Sequence, residues 1–292
     1  MPNLSKYKGF CDLSIVINDV SQLHIKNMLH TAVELGFEVV ALNRVLDESV
    51  FEGDKKKKKK KGEPRDTPDL VPPPLQLGDL REAFREKLTI LQRLTFTFTD
   101  NLQAHKVIQS ENVKKYDLLA VIPTTETAFQ HVCTTLEADI VSFDPVNKPV
   151  WCPRKLYNLA SERGLFFELM YAPAILDTTS RRNIIQTAHG YHSCGKSKNI
   201  IISSGASKPL QIRGPYDILC LGLIFGLSEE QSKTAITSSC RALLIKAEGR
   251  RYGKTLLTIQ LKTPSSPTDS PAGDEMEVDI EPAHKRQRPD DS

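Results

Sequence analysis

Residues 116–143 read YDLLAVIPTTETAFQHVCTTLEADIVSF. Two short apolar runs, 116–122 and 139–143, flank a stretch in which Ala128, Phe129, Val132, Cys133 and Leu136 recur at three- and four-residue spacing. That spacing gathers five apolar side chains on one face of a helix. The flanking runs are apolar with little alternation, as strands of a parallel sheet are when helices cover it. The stretch is a strand–helix–strand unit, and the fold turns on how often the unit recurs.

Working outward, similar runs stand at 10–17 (FCDLSIVI), 37–42 (FEVVAL), 94–98 (LTFTF), 164–170 (GLFFELM) and 199–204 (NIIISS). Helical stripes fill the gaps. Ser21 is placed to cap a helix carrying Ile25, Met28, Leu29, Ala32 and Val33 and ending at Gly36, and Asp177 to cap one carrying Ile184, Ile185 and Ala188. Seven visible strands in β–α units spaced by roughly 20 to 35 residues favour an α/β, TIM-like closed barrel over an open doubly wound sheet. No eighth strand stands out.

The expected organisation is one barrel domain over residues 1–262, interrupted by a loop, and a disordered tail over 263–292. The loop is 52–74, EGDKKKKKKKGEPRDTPDLVPPP, with a like-charge block and five prolines. The tail is rich in Pro, Ser and acids. It carries eight acids and three Lys/Arg, which leaves 36 Lys/Arg against 28 Asp/Glu in the rest. Seven of those lysines are the single run Lys55–Lys61, so a basic surface elsewhere has to come from arrangement rather than bulk charge. Six cysteines form no C-x-x-C pair, which suits reduced thiols of an intracellular protein. The N-terminal residues lack a long apolar core and no stretch approaches the roughly 20 apolar residues of a membrane span, so no membrane partner is expected.

Gly190–Ser197 matches the phosphate-cradling pattern G-x-x-x-x-G-K-[ST]. A true loop of that kind follows a strand and opens a helix, whereas this one follows a helix and precedes the run at 199–204. Gly190 or Gly195 is therefore expected to cap the helix C-terminus, beside Lys196 and Lys198. After the seventh run come the small residues Ser203, Ser204, Gly205 and Ala206, then Lys208 and Arg213, with Pro215 and Asp217 suited to a helix start. In barrels that late loop is a favoured phosphate site. The plainer alternative is that Arg213 pairs with a nearby acid, such as Asp217. Ser228 and Gln231 have capping-box spacing.

The segment 200–244, IIISSGASKPLQIRGPYDILCLGLIFGLSEEQSKTAITSSCRALL, together with FCDLSIV, LGFEVVALNRV, YDLLAVIPTTE and RGLFFELMYAPAI, resembles the barrel-fold protein subunit of nuclear ribonuclease P and ribonuclease MRP, a family also found in archaea. The resemblance covers about residues 8 to 250, and its most specific part is the small-residue turn followed by R-x-P-x-D-[IL]-x-x-L-G-x-x-x-G. It implies a TIM-like barrel akin to metal-dependent phosphoesterases of PHP type. It implies a place in a ribonucleoprotein that removes 5′ leaders from precursor tRNA, with RNA and its Mg²⁺ as the catalyst. The implied partners are the particle RNA, precursor tRNA through the holoenzyme, and other protein subunits including a small ferredoxin-like one. The implied location is the nucleus and nucleolus. The lysine run and the tail depart from the family pattern.

The enzyme alternative is tested by histidines. The phosphoesterase relatives carry H-x-H after the first strand, and CDLSIVIND has none. His24, His30, His105 and His131 fall on expected outer helices, and only His189 and His192 are at i,i+3. Asp12 and Glu168 are placed to face the barrel interior or its mouth and are expected as buried, hydrogen-bonded acids. The reading is a barrel without catalytic residues, metal or bound cofactor of its own. Its candidate RNA-binding residues are Lys208, Arg213, Arg181, Arg182, Lys196 and Lys198, with Lys55–Lys61 as a non-specific grip or nuclear signal and residues 284–289 (HKRQRP) as a second signal. A divergent phosphoesterase and a barrel that meets only proteins are the alternatives.

Overall fold

The computed structural model describes residues 7–18, 21–48, 69–147 and 150–253. Seven parallel strands run in chain order around the sheet: Phe10–Val16 (β1), Phe37–Leu46 (β2), Thr89–Phe98 (β3), Leu118–Pro123 (β4), Ile140–Val141 (β5), Phe166–Met170 (β6) and Ile200–Ser203 (β7). Each expected run lies on one of them. Two are longer than their apolar runs, because β2 continues through Asn43-Arg44 and β3 begins before Gln92-Arg93. These polar pairs look like strand ends in sequence, yet Asn43 and Arg93 are partners across the β2–β3 ladder.

The outer ring is made by Gln22–Glu34 (α1), Gly78–Ala83 (α2), Asn101–Ile108 (α3), Glu126–Thr134 (α4), Arg154–Glu162 (α5), Ala172–Leu176 (α6), Thr178–Gly195 (α7) and Pro215–Ile224 (α8). Ser21 caps α1 by accepting from the His24 N–H, Asp177 caps α7 by accepting from that of Ser180, and Pro215 opens α8 with Asp217 in its first turn. Glu229–Ala235 (α9) starts at the Ser228/Gln231 capping box. The expected apolar stripes are the buried faces: Ile25, Met28, Leu29 and Ala32 on α1, Ala128, Phe129, Val132 and Cys133 on α4.

Closing a barrel with seven strands requires β7 to meet β1, and side chains do most of that work. Regular pairing at the seam is one bridge, Ile15 to Ala206, with the Val16 N–H donating to the Ala206 carbonyl at 2.8 Å. Beside it the Ser204 N–H donates to Asp12 Oδ1 at 2.9 Å and Ser204 Oγ to the Ser14 carbonyl at 3.0 Å. The small residues after β7 thus let the last strand lie against the first.

The end of the barrel at the strand N-termini is plugged by Ser238–Tyr252 (α10). Its Cys240, Leu243, Leu244 and Ala247 join an interior layer with Leu13, Ala41, Leu91, Ala120, Phe166 and Ile201. Burial of a leucine is worth about 1.5–3 kcal/mol, so this one helix face contributes several. Arg250 fixes the helix by donating to Asp139 at 2.7 Å.

Two local expectations are corrected. The 52–74 stretch is not solvated throughout: residues 52–68 lie outside the described residues, but Val71 is fully buried and the Tyr116 hydroxyl donates to the Pro72 carbonyl. Leu75 exchanges two backbone bonds with the Gln92 side chain, which explains the packing. Nor is either glycine the cap of α7. Gly190 lies inside the helix, and the left-handed residue is Lys196, at φ 52°. Gly195 is needed for a different reason, since a Cβ there would stand 2.0 Å from Cε1 of Tyr157. The lysine run and the tail from 263 lie outside the described residues.

Candidate functional site at the barrel mouth

In a parallel barrel all strand C-termini open at one end, and substrates of barrel enzymes bind there. Here that mouth holds a cavity of about 270 Å³. Val16, Val45, Ile122, Phe143 and Met170 form its walls, Asn43, Arg93, Thr95 and Ser142 its floor, and Asp47 and Asp144 stand at its lip.

The floor is organised by Arg93, which is 1% exposed. Strand alternation points residues 91, 93 and 95 of β3 inward, so a charged side chain at 93 has no route to solvent. Its guanidinium grips Glu168 of β6 through both terminal nitrogens, at 2.5 and 2.6 Å. Two further donors go to the Leu13 carbonyl at 2.9 Å and Thr95 Oγ1 at 3.1 Å. Thr95 donates on to Asn43 Oδ1, Asn43 to Ser14 Oγ, and Ser203 to Glu168 Oε1. Strands β1, β2, β3, β6 and β7 are joined in one polar layer. Burial pushes the Glu168 carboxyl upward, but the Arg93 charge and hydrogen bonds overcome it, and the group is held below its usual range.

Asp12 is the second interior acid, 1% exposed. Oδ1 accepts the Ser14 and Ser204 N–H groups, while Oδ2 is buried without a partner. Burial raises its carboxyl above the ordinary value against those hydrogen bonds, and the nearby Glu168 adds to the rise. Both acids are buried and bonded, as their positions in the sequence implied. Arg93 was not foreseen: it sits just before the apolar run at 94–98, where a charge reads as a boundary.

The six candidate RNA-binding residues divide between the two ends of the barrel. Lys208 and Arg213 follow β7 at the mouth side, exposed, around a cavity of about 250 Å³ with Leu176 and Leu210. Among the described residues Arg213 has no acid partner, and the pairing with Asp217 weighed above is not formed. Arg182 is exposed near the start of α7, and Arg181 donates to the Ala174 and Ile175 carbonyls at 2.7 and 3.3 Å, closing the end of α6. Lys196 and Lys198 lie at the far end of α7, which spans about 27 Å at 1.5 Å per residue. They are exposed at the strand N-terminal end. The histidines do not converge: His24 meets the Ser207 carbonyl, His192 meets Ser197 Oγ at 3.2 Å, and no group of three or more metal-ligating side chains occurs among the described residues.

A seven-stranded parallel barrel with an arginine-filled polar floor defines an α/β barrel of the kind that in other proteins frames strand-end chemistry. The family is decided by comparison: residues 9–252 match the model for RNase P subunit p30. The mouse ribonuclease P protein subunit p30 is 40% identical over 86% of this chain and 89% of its own. The probable ribonuclease P protein subunit 3 of Schizosaccharomyces pombe is 28% identical over 83% of this chain and 95% of its own. A chain in the cryo-EM structure of archaeal ribonuclease P with mature tRNA superposes with TM-score 0.59 at 12% identity, covering 89% of this chain and all of that one, which shows the shared fold. The chain belongs to the ribonuclease P subunit p30 family.

Proposed function

We propose that the chain is a non-catalytic, RNA-binding scaffold of the ribonuclease P particle, and of ribonuclease MRP, supporting 5′-leader removal from precursor tRNA. Arg93 carries the reading. A phosphoesterase of this fold needs carboxylate and imidazole lone pairs converging on metal ions at the strand ends. Here both oxygens of Glu168 are committed to a guanidinium that sits among the interior acids. A fixed positive charge repels a metal cation, and a metal centre does not fit this donor set. Catalysis then belongs to the particle's RNA and its Mg²⁺, the chain contributing phosphate contacts from Lys208, Arg213, Arg182, Lys196 and Lys198, with Arg181 shared between that role and closing α6.

Partners on this reading are the particle RNA, precursor tRNA through the holoenzyme, and neighbouring subunits including a small ferredoxin-like one. Tyr216, Leu223 and Ile224 on α8 stand in solvent, as suits a subunit that packs against others. Among the described residues no helix is long and apolar enough to cross a membrane. The location follows the particle, in the nucleus and nucleolus.

Elemental analysis with a phosphodiesterase assay tests the non-catalytic part. The purified chain is expected to hold no stoichiometric zinc, manganese or iron and to leave a generic phosphodiester intact. One or two tightly held metal equivalents, with hydrolysis lost in Asp12→Ala, would overturn it.

A further inference from the structure

The end of the barrel opposite the mouth holds a cavity of about 380 Å³ between the C-terminus of α4, the start of β6 and the last turns of α10. Three half-buried cations line it: Arg163, Lys246 and Arg250. Each is anchored from behind. Arg163 donates to the Val132, Cys133 and Leu136 carbonyls at 2.8–2.9 Å, Lys246 to that of Gly164 at 2.7 Å, and Arg250 to Asp139 through Nε and Nη2. The anchors leave donors over, because an arginine has five N–H groups and a lysine three. Nη1 of Arg250 is unused altogether among these bonds.

The charges do not balance inside the cavity. Asp139, fully buried, answers one of the three cations, and carbonyl dipoles hold the other two. Glu137 is at the lip, exposed to water. Lys246 registers the imbalance: burial lowers its pKa, Asp139 opposes this, and Arg163 and Arg250 push it lower again. An anion would relieve the repulsion and meet preset donors.

Two of the candidate lysines are tied to the same loop. Asn199 donates to the Ser161 and Leu165 carbonyls at 3.1 and 3.2 Å, which ties the Lys196–Lys198 turn to the loop that Lys246 grips at Gly164. Glu162 is exposed on this strip, and Glu229 and Glu230 are exposed on the turn whose Gln231 donates to the Lys196 carbonyl at 3.2 Å. The mouth differs, since Asp47, Glu48, Asp100, Glu126 and Asp144 follow strands β2 to β5 there without an exposed base in the same described turns.

We infer that the Arg163–Lys246–Arg250 cavity is a binding site for a backbone phosphate of the particle RNA, and that the strand N-terminal end, through this site and Lys196 and Lys198, is an RNA-facing surface. This rests on the RNA-scaffold reading and says where the contact is made. It runs against the habit of barrels, whose phosphate sites open at the mouth.

The test titrates the full chain with the particle's ribonuclease P RNA at several KCl concentrations, wild type beside Lys246→Gln, Lys246→Arg and Glu137→Gln, each with a thermal melt. Losing one phosphate contact lowers the logarithmic salt slope by about 0.7–0.9. Lys246→Gln is expected to do so and to weaken binding about tenfold at low salt, Lys246→Arg to restore both, and Glu137→Gln to tighten binding two- to threefold, each multiple an order-of-magnitude reading of one charged contact. A wild type that does not bind the RNA sinks the scaffold reading itself. Binding by the wild type with the slope unchanged in Lys246→Gln and the affinity unchanged in Glu137→Gln sinks only the cavity. If Lys246→Gln melts early, the exposed Glu137→Gln decides alone. Release of a partner subunit by these variants with RNA titration unchanged assigns the cavity to a protein carboxylate and overturns the inference.

Discussion

Arg93 costs the protein desolvation of a guanidinium and a carboxylate, and it is kept because the two charges answer one another through a two-pronged bond with the Leu13 carbonyl and Thr95 taking further donors. Removing one partner leaves the other orphaned. Arg93→Met is expected to lose about 3–5 kcal/mol at pH 7, while Arg93→Met with Glu168→Leu recovers most of it. The pH dependence carries a sign. In the wild type Glu168 titrates below its unfolded value, so the pair's contribution is full above the unfolded carboxyl range and is lost as pH falls through the folded value. In Arg93→Met burial is opposed only by hydrogen bonds such as that of Ser203, Glu168 titrates higher, and the deficit against wild type narrows on acidification. Urea melts at pH 5 and 8 read both effects, and a deficit that widens toward pH 5 would show that Glu168 does not depend on Arg93. Lys196 poses the reverse case, with its left-handed backbone costing about 1–2 kcal/mol for an L-residue. Lys196→Gly is expected to stabilise the chain by about 0.5–1 kcal/mol after glycine's entropy is counted, and to weaken RNA binding. Gly195→Ala, one residue earlier, is expected to destabilise by about 1–3 kcal/mol through the Tyr157 ring. Thermal melts with an RNA titration separate a residue kept for contact from one kept for packing.

Among the elements, the β1–β7 seam is the least regular join in the barrel, and Asp12 sits on it. Its carboxyl titrates above the ordinary value, so its contribution to stability is present at low pH and is lost as pH rises through the folded value. Asp12→Asn keeps an acceptor for the Ser204 N–H and has no such titration. Its melting temperature relative to wild type is therefore expected to rise between pH 5 and pH 8, and a flat or falling difference would mean that Asp12 stays ionised throughout. The elements themselves were largely legible. Apolar runs of strand length alternating with stripes of helical spacing mark seven strands and the helices α1, α4 and α7, because burial on both faces or on one leaves those two signatures. The strand extensions were not legible, since Asn43 and Arg93 satisfy one another's neighbours across the barrel and nothing near them in the chain announces it.

For the whole molecule, the mouth-side pair gives a check on RNA contact independent of the opposite cavity. Lys208 and Arg213 are exposed and bear no fold contact through their charged groups among the described residues. Changing both to Ala is expected to leave the melt unchanged and to lower the logarithmic salt slope of RNA binding by roughly 1 to 2. An unchanged slope would leave the strand N-terminal end as the RNA surface. By itself the sequence determined the barrel, its strand count, the helix N-caps at Ser21, Asp177 and Ser228 and its family, because these follow from local spacing and from a contiguous motif, R-x-P-x-D and its surroundings. It also marked Asp12 and Glu168 as interior acids. Only the tertiary structure decided that Arg93 fills the centre, that six candidate cations stand at two opposite ends, and that Arg163, Lys246 and Arg250 share a cavity. Arg93 stands 75 positions from Glu168 and Arg250 111 positions from Asp139, and Arg163 shares its cavity with Lys246, 83 positions away; such meetings depend on three-dimensional approach that no local pattern encodes.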